Sequence, residues 1–533
     1  MENKKINVLF ASFEATPFIK TGGLGDVAGA LPATLNSLDV DVRVIVPKLK
    51  TIPDEFKNKM THITSFYVPL SWRNEFCGIE KLVMGKTIYY FIDNEYYFKR
   101  SEIYGSFDDG ERMAYYCKAV CESIQYLSKF DSFDCNIIHA NDWHASLIPV
   151  FLREFYRQIP LYQKIKTLFT IHNIKYQGQM SDAVLSDVLG LAHIKAAREQ
   201  LYKGKGTINF LQGALYYSDW INTVSPNYAS ELKNSFYGEG MDGILRQRSD
   251  IFSGILNGID NDYFNPETDK NLPCNYNSTI PSTSSVTVTD VTNNTNSINT
   301  LNPSGTIGSE NISNISSSAQ SVKDLITGKK KCKEELLKEV GLDTNTDIML
   351  VAMVSRLTEQ KGMDLVMRMM DELLYHNIHM IILGVGDRNY EVGLKYFDYK
   401  HPDKFKYFQK FDEGFSHRIY AGADLFLMPS KFEPCGLGQM IAMRYGTLPL
   451  VRETGGLKDS VNPYNQFTGE GNGFSFANFN AHDMLFKFKE AYTLYYDNKP
   501  AWKKLMQSAM ETDFAWEKSA REYIKIYNHL LSY

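Results

Sequence analysis

The amino-acid sequence predicts two doubly wound α/β domains joined by a short break. Three observations predict this class. Short β-branched, apolar runs end in polar or glycine residues, as strands buried inside parallel sheets do. They are "INVLFASFE", "VRVIVP", "NIIHAND", "TLFTIHN" and "WINTVSP", then "IMLVAMVSR", "MIILGVGD", "LFLMPS" and "LPLVRETGG". Helix-like stretches such as "AYYCKAVCESIQYLSKF" and "VMRMMDELLYH" alternate with them. The length, 533 residues, exceeds what one hydrophobic core ordinarily serves.

The first domain is expected over residues 1–255. Its opening strand run leads to "KTGGLGDV", Lys20 to Val27. Gly23-Leu-Gly25-Asp-Val-Ala28 formally satisfies the dinucleotide fingerprint G-x-G-x-x-G/A. In that fingerprint the glycines follow the strand at once and an acid ends the next strand. Here about a dozen residues separate Phe10 from Gly22, and the next strand ends Val46-Pro47-Lys48. A nicotinamide oxidoreductase is therefore set aside. What remains is physical: Gly22 and Gly23 open a helix whose first N–H groups lack intrahelical partners and carry the positive dipole end. Lys20 adds a point charge before them, and Asp26 stands where an N-cap acceptor is expected. "ETGGLKDSV", Glu453 to Val461, echoes the turn in the second series. The expectation is two glycine turns, one from each domain, aimed at a shared anion site.

Ligands of open parallel sheets gather beyond the C-terminal strand ends. In the first domain those ends deliver His139, Asn141, Asp142 and His144, then His172 and Asn173. His172 stands out because it ends an apolar run with an amide beside it. The break falls near "GILNGID". The second domain is expected over 256–515 and contains a Ser/Thr/Asn-rich insert, 275–321. That composition buries too little apolar surface to offset ordering entropy, so disorder is expected there. Its Asn-x-Ser/Thr triplets at Asn311 and Asn314 read as composition rather than glycan acceptors. The second series of strand ends delivers Arg356 and Lys361, spaced to converge on a diphosphate, and Glu433 before a helix beginning near Gly436. Arg356 or Lys361 would otherwise pair with Glu359. Glu433 reads as a general base, a nucleophile or an acceptor for sugar hydroxyls. Residues 516–533 have helical spacing and are expected to pack back on the first domain.

Composition excludes several classes. The formal charge is −5, from 57 basic and 62 acidic side chains, so no basic face for nucleic acid is expected. No run approaches the roughly 18 apolar residues of a membrane span, and no leader pattern precedes the first strand. The seven cysteines form no CxxC pair, which fits reduced thiols in a cytoplasmic protein. Two D-x-D patterns exist: Asp39-Val-Asp41 precedes its strand, and Asp260-Asn-Asp262 sits at the break. No compact His/Cys cluster accompanies either, and a site with no metal and no cofactor is expected.

At these residues the chain resembles the bacterial glycogen synthases and plant starch synthases of the ADP-glucose type, glycosyltransferase family 5. The resemblance rests on "KTGGLGDV", "HANDWHASL", "FTIHNIKYQG", "INFLQGALYYSDWINTVSPNYA", "SRLTEQKG", "FSHRIYAGAD", "FEPCGLGQ" and "TGGLKDSV". It covers nearly the whole chain outside the insert. It implies two facing Rossmann-like domains in the GT-B arrangement and a metal-independent, retaining transfer of glucose from ADP-glucose to an α-1,4-glucan such as glycogen. By the same resemblance, Lys20, Gly22 and Gly23 contact the donor phosphates, and His172 lies beside the transferred glucose. Asp142 and Asn173 shape that pocket, and Arg356 and Lys361 hold the leaving ADP. Glu433, Cys435, Gly436 and Leu437 bind glucose and diphosphate at a helix start. Two departures stand out: Gly438 replaces the family's threonine, and Phe411 replaces its adenine-stacking tyrosine. The run "YYFIDNEYYFKRSEIYG" carries aromatic rings suited to sugar stacking, or simply to a strand packed on the core. Rival expectations are a glucan phosphorylase, for which no pyridoxal-phosphate lysine motif is seen, a UDP-glucose-using synthase, and a catalytically silent glucan-binding protein.

Overall fold

The computed structural model describes residues 5–280 and 323–532. Two large sheets organise them. At the centre of the nine-stranded sheet, Asn7–Ala11 pairs in parallel with Asp41–Pro47 on one side and Ile137–Asn141 on the other. Outward from Asp41–Pro47 come Thr87–Asp93 and then an antiparallel hairpin, Arg73–Met84 and Thr61–Leu70. Outward from Ile137–Asn141 come Lys166–Ile171, Trp220–Thr223 and Phe252–Gly254, all parallel. Val8, Leu9, Phe10 and Ala11 are all fully buried, because helices cover both faces of the sheet centre. The hairpin instead alternates: Phe66, Val68 and Leu70 are buried while Tyr67 and Pro69 are exposed.

The six-stranded sheet is wholly parallel, in the order Phe405–Phe408, Ile378–Leu383, Met349–Val354, Leu425–Met428, Leu448–Arg452, Phe474–Phe476. Each sheet reverses its winding once. The reversal lies between Asn7–Ala11 and Ile137–Asn141 in the first sheet, and between Met349–Val354 and Leu425–Met428 in the second. Such switch points leave a crevice beyond the strand ends.

The chain passes between the two sheets at two adjacent places. The Ile259 N–H donates to the Phe514 carbonyl at 2.9 Å. Gly258 lies so close to Trp516 that a Cβ there would come within 2.7 Å of its backbone. Helix Trp516–Leu531 then packs against helix Gly23–Ser37 beside the first sheet. Buried hydrogen bonds anchor it. Tyr527 donates to His139 Nδ1 (2.9 Å), and His139 Nε2–H donates to Thr170 Oγ1 (2.6 Å). The Thr170 hydroxyl donates to Asn222 Oδ1, which fixes those directions, and Asn222 Nδ2 donates to Tyr523 at 3.1 Å.

The Ser/Thr/Asn stretch anticipated over 275–321 begins inside the fold. Tyr276, its single aromatic residue, is fully buried and donates to the Tyr445 carbonyl at 2.9 Å. One large ring supplies locally the burial that the rest of the composition lacks. Residues 281–322, with the triplets at Asn311 and Asn314, lie outside the described residues.

Candidate active site

Both switch points open onto one cavity of about 1760 Å³. Lys20, Gly22, Gly23, Asp26, Asp142, His172 and Asn173 line it from the first sheet's side. Arg356, Lys361, Phe411, Glu433, Cys435, Gly436, Leu437 and Gly438 line it from the second's. Of the strand-end candidates, His139 and Asn141 do not line it.

Helix Gly23–Ser37 starts with Gly22 at its N-cap position, and no side chain caps it. No other protein atom lies within 4 Å of where a Cβ would sit on Gly22 or Gly23, so the turn leaves its backbone open to the cavity. Asp26 is not the cap. It lies in the first helical turn, where burial raises its carboxyl pKa and the ion pair with Lys20 Nζ at 2.8 Å offsets that rise only in part. The loop carrying Lys20 is pinned by Glu14, a residue the sequence reading missed. The buried Glu14 carboxylate accepts from the Thr21 N–H (2.5 Å), the Thr21 hydroxyl (2.6 Å) and the Tyr104 hydroxyl (2.6 Å). Its acidic side chain immediately after a strand, six residues before Lys20, was the available signal.

Asn141 acts from behind the wall. Its fully buried amide donates to the carbonyls of Ala11 (3.2 Å) and His139 (3.1 Å), which can take only N–H groups. Its Oδ1 therefore faces His172 Nε2 at 3.0 Å and must accept. That assigns the proton to Nε2 and leaves Nδ1 as an acceptor. Burial holds the His172 pKa down to about 3, so the ring is neutral. His144, its ring stacked on Phe13 and Tyr104, is likewise pushed down to about 3.

Asp142 follows its strand with φ 61°, the left-handed region that costs a non-glycine residue energy. Burial pushes its carboxyl up to about 7, against the pull of backbone N–H groups at Asn173, Trp143 and His172. Its Oδ1 is buried with no partner.

Across the cavity, Lys361 Nζ lies 2.6 Å from Glu433 Oε2, which also accepts from the Ser430 hydroxyl at 3.1 Å. Arg356 is exposed and has no ion pair among the described residues. Glu359, a possible competitor by sequence, pairs instead with Lys431 at 2.6 Å. Gly436 has φ 72°, so a glycine is favoured where the loop turns into helix Gly438–Arg444. Burial pushes the Cys435 thiol up to about 12, which leaves it unreactive. Phe411 is 84% exposed at the rim. Tyr263 and Glu413, also unforeseen, both line the wall; burial and then the Glu413 charge push the Tyr263 hydroxyl up to about 12, and that charge also bears on Asp26 on the opposite side.

The second glycine turn departs from expectation. Thr454, Gly455 and Gly456 do not line the cavity. A Cβ on Gly455 would meet the Glu433 carbonyl at 1.9 Å, and one on Gly456 the Cys435 carbonyl at 2.2 Å. The turn thus packs beneath the Glu433–Gly436 loop. Its helix start receives a protein anion instead: the Gly455 N–H and the Thr454 hydroxyl each donate to Glu231 Oε1 at 3.0 Å. Glu231 belongs to helix Pro226–Leu232 on the first sheet, whose leading Asn227 N–H donates to Asp459 at 2.9 Å. The echo is a strap between the two halves.

Asp260 and Asp262 line the cavity, but Asp260 Oδ1 accepts from the N–H groups of Asp262 and Tyr263, both at 3.0 Å. Among the described residues, no group of three or more His, Cys, Asp or Glu side chains is arranged to hold a metal ion. No described helix is long and apolar enough to cross a membrane.

The family described as "Starch synthase catalytic domain" matches residues 7–247, and "Glycosyl transferases group 1" matches residues 296–503. The glycogen synthase of Clostridium novyi (strain NT) is 43% identical over 526 residues, covering 99% of both chains. That of Clostridium acetobutylicum is 44% identical over 528 residues, covering 99% of this chain and all of the relative. The chain belongs to the glycogen synthase family. It is accordingly a glycosyltransferase with the two-domain GT-B fold of that family. The structure of the catalytic domain of starch synthase IV from Arabidopsis thaliana, bound to ADP and acarbose, superposes with TM-score 0.83 at 28% identity, over 99% of this chain and all of that one. A sucrose-phosphate synthase from Thermosynechococcus elongatus shares the fold alone, with TM-score 0.57 at 15% identity over 99% of this chain and all of its own.

Proposed function

We propose that the chain transfers glucose from ADP-glucose to the non-reducing-end 4-hydroxyl of glycogen or another α-1,4-glucan, with retention and without a metal ion. The observation that carries this reading is the placement of Lys20 opposite Arg356 and Lys361 on one cavity that also holds His172 and Glu433. A starch synthase of the same fold binds ADP, and the phosphates of ADP-glucose need the cations this cavity offers. The two halves are taken as domains of residues 1–255 and 256–515, with 516–533 returning to the first.

Two of the three cations are already engaged, Lys20 with Asp26 and Lys361 with Glu433. An entering diphosphate meets the unpaired Arg356 first and then competes for the two lysines. As the bond from glucose C1 to the phosphate oxygen breaks, its electron pair leaves with ADP, whose growing charge the three cations and the open Gly22–Gly23 backbone stabilise. The glucan O4 bonds to C1 on the same face and passes its proton to the departing phosphate. His172, neutral, accepts a glucose hydroxyl at Nδ1; Asp142, Asn173, Glu433 and the Cys435–Gly438 backbone bind the remaining hydroxyls and phosphate. Phe411 stacks on the base. Water is excluded when the walls close. All seven cysteines are free, in keeping with a cytoplasmic site of action.

The test is nucleotide release on a glycogen primer, with ADP-glucose and UDP-glucose compared, with and without chelator. ADP release that survives the chelator supports the reading. Preference for UDP-glucose, or sugar binding with no nucleotide release, overturns it in favour of the corresponding rival.

A further inference from the structure

We propose that Glu231 is a positioning residue for the transfer reaction. Standing on the first half, it holds the second half's Glu433–Gly436 loop in its working shape, so that docking of the halves and assembly of the site are one event. The proposal rests on the transferase reading above. Glu231 is carried by helix Pro226–Leu232 and does not line the cavity. Its carboxylate reaches across to helix Gly455–Ser460, where Oε1 accepts from the Gly455 N–H and from the hydroxyl of fully buried Thr454, both at 3.0 Å. Asn227 Nδ2 donates to the same oxygen at 3.0 Å, which keeps the carboxylate aimed across the gap.

Two routes lead from Glu231 to the loop. In the first, the Gly456 N–H donates to the carbonyls of Glu433 (3.2 Å) and Pro434 (3.1 Å). Neither glycine of this turn has room for a Cβ against the loop backbone, so a shift of the turn moves the loop. In the second, the Glu231 carboxylate interacts with the charge of Arg452, whose buried guanidinium donates to the carbonyls of Ser430 (2.7 Å) and Lys431. The Ser430 hydroxyl donates in turn to Glu433 Oε2, the oxygen that faces Lys361. Glu231 thus bears on both the backbone and the side chain of Glu433. The arrangement is also reciprocal. Asp459, on the second half, accepts from the Asn227 N–H (2.9 Å) and the Ser225 hydroxyl on the first. Buried Ser225 accepts from the Tyr228 N–H at 2.9 Å, and the buried Tyr228 hydroxyl accepts from the Ile174 N–H at 3.3 Å, next to His172 and Asn173 on the opposite wall. Asp459 is exposed, so its arm is the weaker of the two.

The test compares full-length wild type, Glu231→Ala, Glu231→Gln and Asp459→Ala by initial rates on glycogen, by the partition of ADP-glucose between glucan and free glucose, and by melting curves. Glu231→Ala is expected to lower kcat about ten- to a hundredfold, the effect of a roughly 1 Å misplacement. It should also raise the share of donor hydrolysed, because water takes the place of the glucan O4 at C1 and leaves ADP and glucose. Glu231→Gln keeps an acceptor oxygen for the Gly455 and Thr454 donors and recovers part of the rate. Asp459→Ala shows the same shifts at smaller size. A lower melting midpoint with wild-type kcat and partition in Glu231→Ala would make the residue a structural strap only and overturn the proposal. So would a Glu231→Gln variant no faster than Glu231→Ala. Calorimetry of ADP binding is read without turnover, and Glu231→Ala should weaken it about three- to tenfold, one hydrogen bond's net contribution. A Glu231-dependent ADP affinity in a protein that releases no ADP from ADP-glucose would therefore sink the transferase reading while leaving this positioning role standing.

Discussion

Asp142 combines a left-handed backbone, a buried carboxyl and an unpartnered oxygen. With its pKa raised to about 7, the carboxylate is only partly ionised near neutrality. A group whose folded pKa exceeds its unfolded value of 3.8 favours the fold while protonated, and that contribution is lost as pH rises through 7. Binding has the opposite sign, because a sugar hydroxyl donates to the ionised form. Half-saturating ADP-glucose is therefore expected to fall as pH rises from 6 to 8, and Asp142→Asn should abolish that step; an unchanged profile in the variant would remove Asp142 from the sugar pocket. Asn141→Ala leaves the His172 Nε2–H and the Ala11 and His139 carbonyls without that partner; it should lower kcat and also the thermal midpoint, by about 1–3 kcal/mol of stability or more, which steady-state kinetics beside a melting curve reads. Residue types at strand ends were legible in the sequence because apolar runs stop where chemistry begins. Direction was not: Asn141 and Asp142 are neighbours, yet only Asp142 reaches the cavity. The role of Glu413 was not legible because Tyr263 and Asp26 are distant from it in sequence; Glu14 was within reach, since two of its three contacts are to Thr21, seven residues on.

At the scale of elements, the repeated T-G-G-L-x-D pattern announced two glycine turns correctly and misled about where the second points. A glycine marks a close approach, but the approaching group can be a ligand or the protein's own backbone. At Gly22–Gly23 the space is open, whereas at Gly455–Gly456 the carbonyls of Glu433 and Cys435 fill it. Gly456→Ala is therefore expected to cost about 1–3 kcal/mol, the usual range for overpacking, and to lower ADP affinity by shifting the Cys435–Gly436 loop; denaturant unfolding checks the first effect and calorimetry of ADP binding the second. The hairpin beside the parallel strands was not anticipated either. Its alternation of buried Phe66, Val68 and Leu70 with exposed Tyr67 and Pro69 is a weaker sequence signal than the continuous apolar runs of the parallel strands.

For the whole molecule, two sheets, two adjacent crossings and a returning helix place both switch points on one cavity. The sheets were legible because each core strand carries its own apolar run. The returning helix was legible from its helical spacing alone, but its anchor was not, since the chain Tyr527–His139–Thr170–Asn222–Tyr523 joins residues hundreds of positions apart. Tyr527→Phe leaves buried His139 Nδ1 without a donor and should cost about 1–3 kcal/mol, seen as a lower thermal midpoint with kcat little changed. The central claim is that cations on opposite walls jointly neutralise the departing diphosphate. Its most direct test is the initial rate of ADP release from ADP-glucose on glycogen in Lys20→Ala and Arg356→Ala. Each should lose about 1.5–3 kcal/mol of transition-state stabilisation, which is roughly a ten- to 150-fold fall in kcat/KM. Wild-type turnover in either variant would contradict the account.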